Sequence, residues 1–383
     1  MTAHAVGENQ PAPRWRRPVL MSRQSWTAVW SAAAFIIGIV LLTVVPAPYV
    51  TWAPGPTADT LGRDAAGRPL VEVTGTTVQP TTGRLDLTTV SVSQVDARVG
   101  FLEAVIAWLR PGHDALDRDI YYPPGTTQQQ DQQEKMLMMS TSRETARVAA
   151  LAEAGQPATA GVVVAGVSVG GPAEQVLQPG DFLLGIGSHG AVGDRPRDEE
   201  AAAKALARTL ADSPDEVTFR VRRDGEQDLE VRVPTRAGSS GEQRLGIDLA
   251  NGWWSPVQVT YRIDEQIGGP SAGLVFAVAI YDQLVPGDLL QGRHVAGTGT
   301  ISADGEVGAI GGIQSKITAA RAAGATVFLV PAANCRDTAG LTSGPGVVGD
   351  GASAMRLVKV ATLHDAVTAL RTLQRPEGEV ELC

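Results

Sequence analysis

Trp26 to Val45 is an essentially uncharged run centred on Ala32-Ala33-Ala34-Phe35-Ile36-Ile37, and its length meets the ~20 residues that a helix needs to cross a bilayer. The pattern predicts a transmembrane helix over 26–45, with Trp26, Trp30, Tyr49 and Trp52 near its ends as interfacial aromatics. Arg14, Arg16, Arg17 and Arg23 precede it, so the positive-inside rule predicts a cytoplasmic tail over 1–25 and an extracytoplasmic remainder. A cleaved signal peptide and a buried core helix are the competing readings of the same run.

From Val50 to Ser93 the chain alternates Thr/Val-rich segments with Gly/Pro turns, including Leu70-Val71-Glu72-Val73-Thr74, the pattern of short strands. Helical spacing follows over 100–109 and again from Gln128 to about Ala154, where a glutamine tract leads into Met136, Leu137, Met139 and Val148. Residues 46–154 are expected to form a β-rich and helical membrane-proximal region. Strand, turn, strand and amphipathic-helix patterns then succeed one another from Gly161 to Pro234. Farther on, Gly268-Gly269-Pro270-Ser271-Ala272-Gly273 runs into the wholly apolar Leu274-Val275-Phe276-Ala277-Val278-Ala279-Ile280. Such a turn puts a serine hydroxyl at the positive end of a buried helix, where free backbone N–H groups can hold an oxyanion. Ser271 is the candidate nucleophile, with Gly269, Pro270 and Ala272 shaping the oxyanion turn; a capped core helix is the bland alternative for this stretch taken alone.

A second segment changes that balance. Val295 to Thr300, an Asp304-Gly305 turn and Gly311-Gly312 deliver the chain into an alanine-rich helix whose first turn carries Lys316. Apolar neighbours Ile313, Ile317 and Ala320 would desolvate the ammonium, and the helix N-terminus disfavours its charge further. A lysine with a lowered pKa can take a serine proton, as a Ser-Lys dyad requires. Gly-x-Ser-x-Gly also fits a hydrolase elbow followed by Asp337 or Asp350 and His364, but the segment before Ser271 is polar where that fold needs an apolar strand.

The 383 residues suffice for two or three domains, and 43% apolar with 19% charged residues is ordinary for a globular chain. A formal net charge of −9 argues against a nucleic-acid partner. Two cysteines and five scattered histidines provide no metal-ligand spacing, so no metal and no cofactor are expected.

Residues 155–236, with Gly171-Pro172-Ala173 before Leu177-x-Pro179-Gly180-Asp181-x-Leu183-Leu184, resemble a bacterial PDZ domain, which implies capture of flexible protein or peptide tails by strand addition. Arg236 to Gly241 reads as a linker. Gly269-Pro270-Ser271-Ala272-Gly273, Thr298-Gly299 and Gly311-Gly312-Ile313-Gln314-Ser315-Lys316 resemble the proteolytic domain of the Lon protease family, a resemblance that covers roughly Gln243 to Leu373 of an expected domain over 243–383. That resemblance implies Ser271 as nucleophile, Lys316 as general base, Thr298 as a support for the lysine, and a homo-oligomer. The combination is similar to the YlbL-like membrane-anchored proteases of Gram-positive bacteria. The expected fold class is therefore an α+β multidomain chain: a transmembrane helix, a β-rich region, a PDZ domain and a Lon-type α/β domain. The expected function is an ATP-independent serine endopeptidase acting on unfolded or flexible envelope or membrane proteins, since no phosphate-loop motif occurs in the sequence. A non-catalytic PDZ adaptor is the alternative from another class. With the remainder of the chain placed outside the cytoplasm, Cys335 and Cys383 are expected to form a disulfide.

Overall fold

The computed structural model describes residues 23–223, 227–238, 243–264, 267–341, 346–351, 354–375 and 377–383. Most of the expected N-terminal tail, residues 239–241 of the expected linker, and Glu265 and Gln266 lie outside the described residues. The first part contains α1 (Arg23–Val44), β1 (Tyr49–Asp59), β2 (Val71–Thr74), β3 (Arg84–Val92), α2 (Phe101–Leu109), β4 (Asp114–Asp117), α3 (Arg118–Tyr121) and α4 (Gln128–Glu153). The middle contains β5 (Thr159–Val167), β6 (Phe182–Ser188), β7 (Ala191–Val192), α5 (Glu199–Asp212), β8 (Glu216–Arg223), β9 (Gln227–Pro234), β10 (Arg236–Ala237), β11 (Gln243–Arg244) and β12 (Ile247–Trp254). Next come β13 (Gln258–Tyr261), α6 (Gly273–Leu284), β14 (His294–Gly297), β15 (Thr300–Ile301), β16 (Val307–Gly308) and α7 (Ile313–Ala322). The chain ends with β17 (Val327–Pro331), a 3-10 helix (Ala332–Thr338), β18 (Val347–Val348), β19 (Met355–Val360) and α8 (Leu363–Thr372).

The fold is mixed α/β, and one expectation about it is corrected. Among the described residues no helix is long and apolar enough to cross a membrane. α1 (Arg23–Val44) is present as a helix, but it is not among helices long and apolar enough to form a span. The transmembrane element expected over 26–45 falls, and with it the expected single-pass placement of the C-terminal part outside the cytoplasm.

A seven-stranded sheet in the order β18-β19-β17-β14-β3-β1-β4 organises the site. Its centre is parallel, with β14 between β3 and β17, so His294 faces Arg84 and Val295 faces Val327 across the ladders. Strands from the region expected to be membrane-proximal therefore share one sheet with the C-terminal part of the chain. All twelve residues of α6 are buried; the helix packs on this sheet beside α4, consistent with its apolar sequence on every side. α4 begins with a capping box in which the Thr127 side chain accepts from the Gln130 N–H and the Gln130 side chain accepts from the Thr127 N–H.

The second sheet, β12-β5-β6-β8-β9, is interposed in sequence between α4 and β13 and encloses its own core around Val162, Leu183, Phe219 and Val221. β12 pairs antiparallel with β5, Ile247 opposite Val167 and Trp254 opposite Thr159. Residues 247–254 thus belong to the inserted sheet, although 243 is the expected start of the following domain. Arg147 of α4 fastens the exit of the insert: it donates to the carbonyls of Trp253 (3.1 Å) and Val257 (3.2 Å) and pairs with Glu144.

Candidate active site

Local backbone chemistry sets the position of Ser271. Gly269 takes φ +90, a left-handed conformation open to glycine at little cost, and its N–H donates to the Lys135 carbonyl at 3.0 Å. The turn is thereby docked on α4, and the Gly269 N–H is already engaged there. Pro270 presents its carbonyl to the Ser142 hydroxyl at 2.9 Å. Ser271 and Ala272 complete the turn, and α6 begins at Gly273, where a Cβ would lie 2.9 Å from both Ser142 Oγ and Ile301 Cγ2. Only glycine permits this approach of α6 to α4 and β15.

From the other side, Gly299 donates its N–H to the Ser271 carbonyl (2.9 Å) and accepts from the Leu274 N–H (3.0 Å). The fully buried Thr298 donates its hydroxyl to the same Ser271 carbonyl at 3.0 Å. That hydroxyl in turn accepts from Lys316 Nζ at 2.9 Å. Lys316 Nζ also stands 2.6 Å from Ser271 Oγ. Residues 45 positions apart in sequence thus meet in one hydrogen-bonded group.

Lys316 is only 2% exposed, and burial pushes its pKa down from 10.5 to about 7. The cause is desolvation of the ammonium in an apolar setting. Gly312, in the left-handed conformation at φ 68 and ψ 32, precedes α7. Gly311 and Gly312 lie flat against the ring of Trp52, where a Cβ on either would come within 2.7 Å of it. The first turn of α7 is consequently pressed onto β1, with Ile313, Ser315, Lys316 and Ile317 all buried.

The other candidates lie elsewhere. His364 binds Glu153 at 2.8 Å, and the Asp337 carboxylate accepts from Asn334 at 2.9 Å, so the structure does not assemble these residues with Ser271. Cys335 and Cys383 are joined, with S–S 2.07 Å and Cα–Cα 5.0 Å. Among the described residues no three His, Cys, Asp or Glu side chains stand together as a metal site. Sequence reasoning overlooked Ser142 and assigned Trp52 to a membrane interface, whereas Trp52 is buried against Gly311 and Gly312. Recurrence of Met139, Ser142, Ala146 and Ala149 along one buried face of α4 marks that helix as a core element and could have pointed to Ser142.

Residues 266–367 match the model of the Lon protease (S16) C-terminal proteolytic domain. The chain contains a Lon-type proteolytic domain. It is 44% identical over 69 residues to the Lon protease of Roseiflexus castenholzii, covering 18% of this chain and 8% of the relative. The Lon protease of Citrifermentans bemidjiense is 48% identical over 69 residues, with the same coverage. Lon protease 2 of Herpetosiphon aurantiacus is 44% identical over 101 residues, covering 26% of this chain and 12% of that protein. The chain thus spans 8% to 12% of the length of these curated relatives. These likenesses support a serine peptidase domain.

Proposed function

We infer that this chain is a serine endopeptidase in which Ser271 and Lys316 form the catalytic dyad. The observation that carries the reading is the 2.6 Å contact between Ser271 Oγ and the buried Lys316 Nζ. In its neutral form the amine accepts the hydroxyl proton as Ser271 Oγ attacks the carbonyl carbon of a peptide bond. Backbone N–H groups of Ser271 and Ala272 at the head of α6 stabilise the developing oxyanion. The Lys316 ammonium then returns its proton to the leaving amine, and water hydrolyses the acyl-enzyme with Lys316 again acting as base. Thr298 is a positioning residue, since its hydroxyl links Lys316 Nζ to the Ser271 carbonyl.

The inserted sheet serves as a PDZ-like recruitment module. β12 ends the sheet order, and an extended, flexible protein tail adds to its outer edge as one more strand. The dyad chemistry consumes no nucleotide, so an already unfolded substrate is cleaved without ATP. The test uses the purified chain with a fluorophosphonate probe and an unstructured protein substrate in ATP-free buffer. Peptide release and labelling of Ser271 are expected from the wild type and absent from Ser271→Ala. Equal proteolysis by the two proteins would overturn the reading.

A further inference from the structure

At the end of the seven-stranded sheet away from the dyad, a pocket of about 540 Å³ is lined by Arg293, Arg356 and Arg375 together with Thr326, Leu373 and Gln374. The register of the sheet explains why they meet. β14, β17 and β19 run parallel and start in one row, with Val295 opposite Val327 and Val327 opposite Arg356. Arg293 leads into β14 at that row, and the chain leaving α8 brings Gln374 and Arg375 to it. The dyad lies beyond the other end of β14, where Thr298 follows Gly297 and binds Lys316.

The chain holds 41 acidic and 32 basic residues, yet three arginines and no Asp or Glu line this hollow. Carbonyls, not carboxylates, fix the inner wall: Arg293 Nη1 donates to Leu290 at 3.2 Å, and its Nη2 to Leu373. The Gln374 amide donates to the carbonyls of Asp288 (3.3 Å) and Leu289 (3.0 Å). Among the described residues no carboxylate pairs with Arg356 or Arg375. Like charges gathered without a counterion repel one another, and an anion between them reverses the sign of that interaction. The planar fork of a guanidinium matches phosphate oxygens two at a time, and the volume suits a small molecule.

We propose that this pocket binds a small, multiply charged phosphate group through Arg293, Arg356 and Arg375. Such a ligand ties the end of α8 to the first residues of β14, β17 and β19, so its binding stabilises the folded chain. The inference goes beyond the peptidase reading and shares no residue with the dyad.

The experiment titrates sodium pyrophosphate into the full chain by calorimetry, in magnesium-free buffer at fixed ionic strength, beside Arg356→Gln, Arg375→Gln and the double variant. Both arginines are exposed, so without ligand the variants should melt as the wild type does. Arg293 is kept, because it anchors Leu290 and Leu373. Wild type and Ser271→Ala should bind pyrophosphate alike. Each single substitution should weaken binding about tenfold, the effect of losing a hydrogen-bonded charge, and the double variant should bind more weakly than either. Pyrophosphate should raise the melting temperature of the wild type and not of the double variant. Sedimentation with phosphatidylcholine vesicles, with and without phosphatidic acid, distinguishes the source of the phosphate. A free phosphate ligand leaves the protein in the supernatant with both; pelleting with phosphatidic acid that the double variant loses makes a lipid headgroup the source. No binding by the wild type, or equal affinity in a folded double variant, would overturn the site. A chain that binds pyrophosphate in this way but cleaves no peptide would overturn the peptidase reading and leave this site standing.

Discussion

Ser142 Oγ donates to the carbonyl of Pro270 at 2.9 Å, tying the residue before Ser271 to a helix that precedes the inserted sheet. Ser142 is 4% exposed, so its hydroxyl has little access to water as a substitute partner. Ser142→Ala should cost about 1 kcal/mol of stability, the usual net worth of such a bond. It should also lower kcat more than it changes KM, because the turn holding Ser271 loosens. Chemical denaturation and steady-state kinetics on one short peptide check both effects.

Gly312 bears on Lys316 through backbone geometry. Its left-handed φ of 68 costs roughly 1–2 kcal/mol for any residue with a Cβ, and that Cβ would also lie 2.7 Å from the side chains of Trp52 and Val90. Gly305 has φ +89, yet a Cβ there meets nothing closer than Leu363 at 3.8 Å. Gly312→Ala should therefore destabilise the protein by about 2 kcal/mol or more and displace the first turn of α7. Gly305→Ala should carry the conformational cost alone. Parallel urea titrations of the two variants measure the difference, and equal losses would contradict the packing against Trp52.

The Cys335–Cys383 bond closes a loop of 48 residue steps. In the chain-entropy account, closing such a loop stabilises the fold by on the order of 4 kcal/mol. The tail is docked by other bonds as well, since the Cys383 N–H donates to the Leu357 carbonyl at 3.0 Å. Replacing both cysteines with serine should lower the denaturation midpoint but leave kcat/KM within about twofold, because neither residue contacts the dyad. Non-reducing peptide mapping of the wild type should recover the two cysteine peptides as one linked species.

The parts of the site legible in the sequence are those set by local pattern. An apolar run after Gly-Pro-Ser announced α6, a Gly-Gly bend before an alanine-rich segment announced α7, and desolvation of Lys316 followed from Ile313, Ile317 and Ala320. The hidden parts depend on partners distant along the chain. Alternation marks residues 84–92 as a strand, but nothing in it shows that Arg84 pairs in parallel with His294, because a strand pattern specifies a face and not a neighbour. The inserted sheet hides the same relation by separating α4 from β13, so Ser142 reads as part of another region. β12 was cut off from its own sheet because a Gly/Ser-rich segment marks a break in composition, whereas the strand crosses back to pair with β5. For α1, the length and composition of an apolar run predict a bilayer span, yet no described helix is long and apolar enough to cross a membrane.

Lys316 carries the sharpest expectations. Burial lowers its pKa from 10.5 to about 7, and the proposed chemistry needs the neutral amine. Below pH 7 the neutral fraction, and with it kcat/KM, should fall about tenfold per unit; above it the rate should approach a plateau. Stability obeys the same shift with its own sign. Between about pH 7 and 10.5 the unfolded chain keeps the Lys316 proton that the folded chain has released. Unfolding then takes up a proton, so this residue's contribution to stability grows as pH rises through that window. Below pH 7 both states are protonated and the contribution is constant at its least favourable value. Lys316→Met removes the titrating group, so its melting temperature should lack this rise with pH, and the variant should be inactive. Lys316→Arg retains a cation that holds its proton at any working pH and should also be inactive, with kcat/KM reduced by several orders of magnitude. Circular dichroism is needed beside the kinetics, because a buried guanidinium without a partner strains the fold, and Lys316→Met supplies the comparison if the arginine variant does not fold. A folded Lys316→Arg or Lys316→Met protein that cleaves peptides within tenfold of the wild-type rate would rule out lysine as the base.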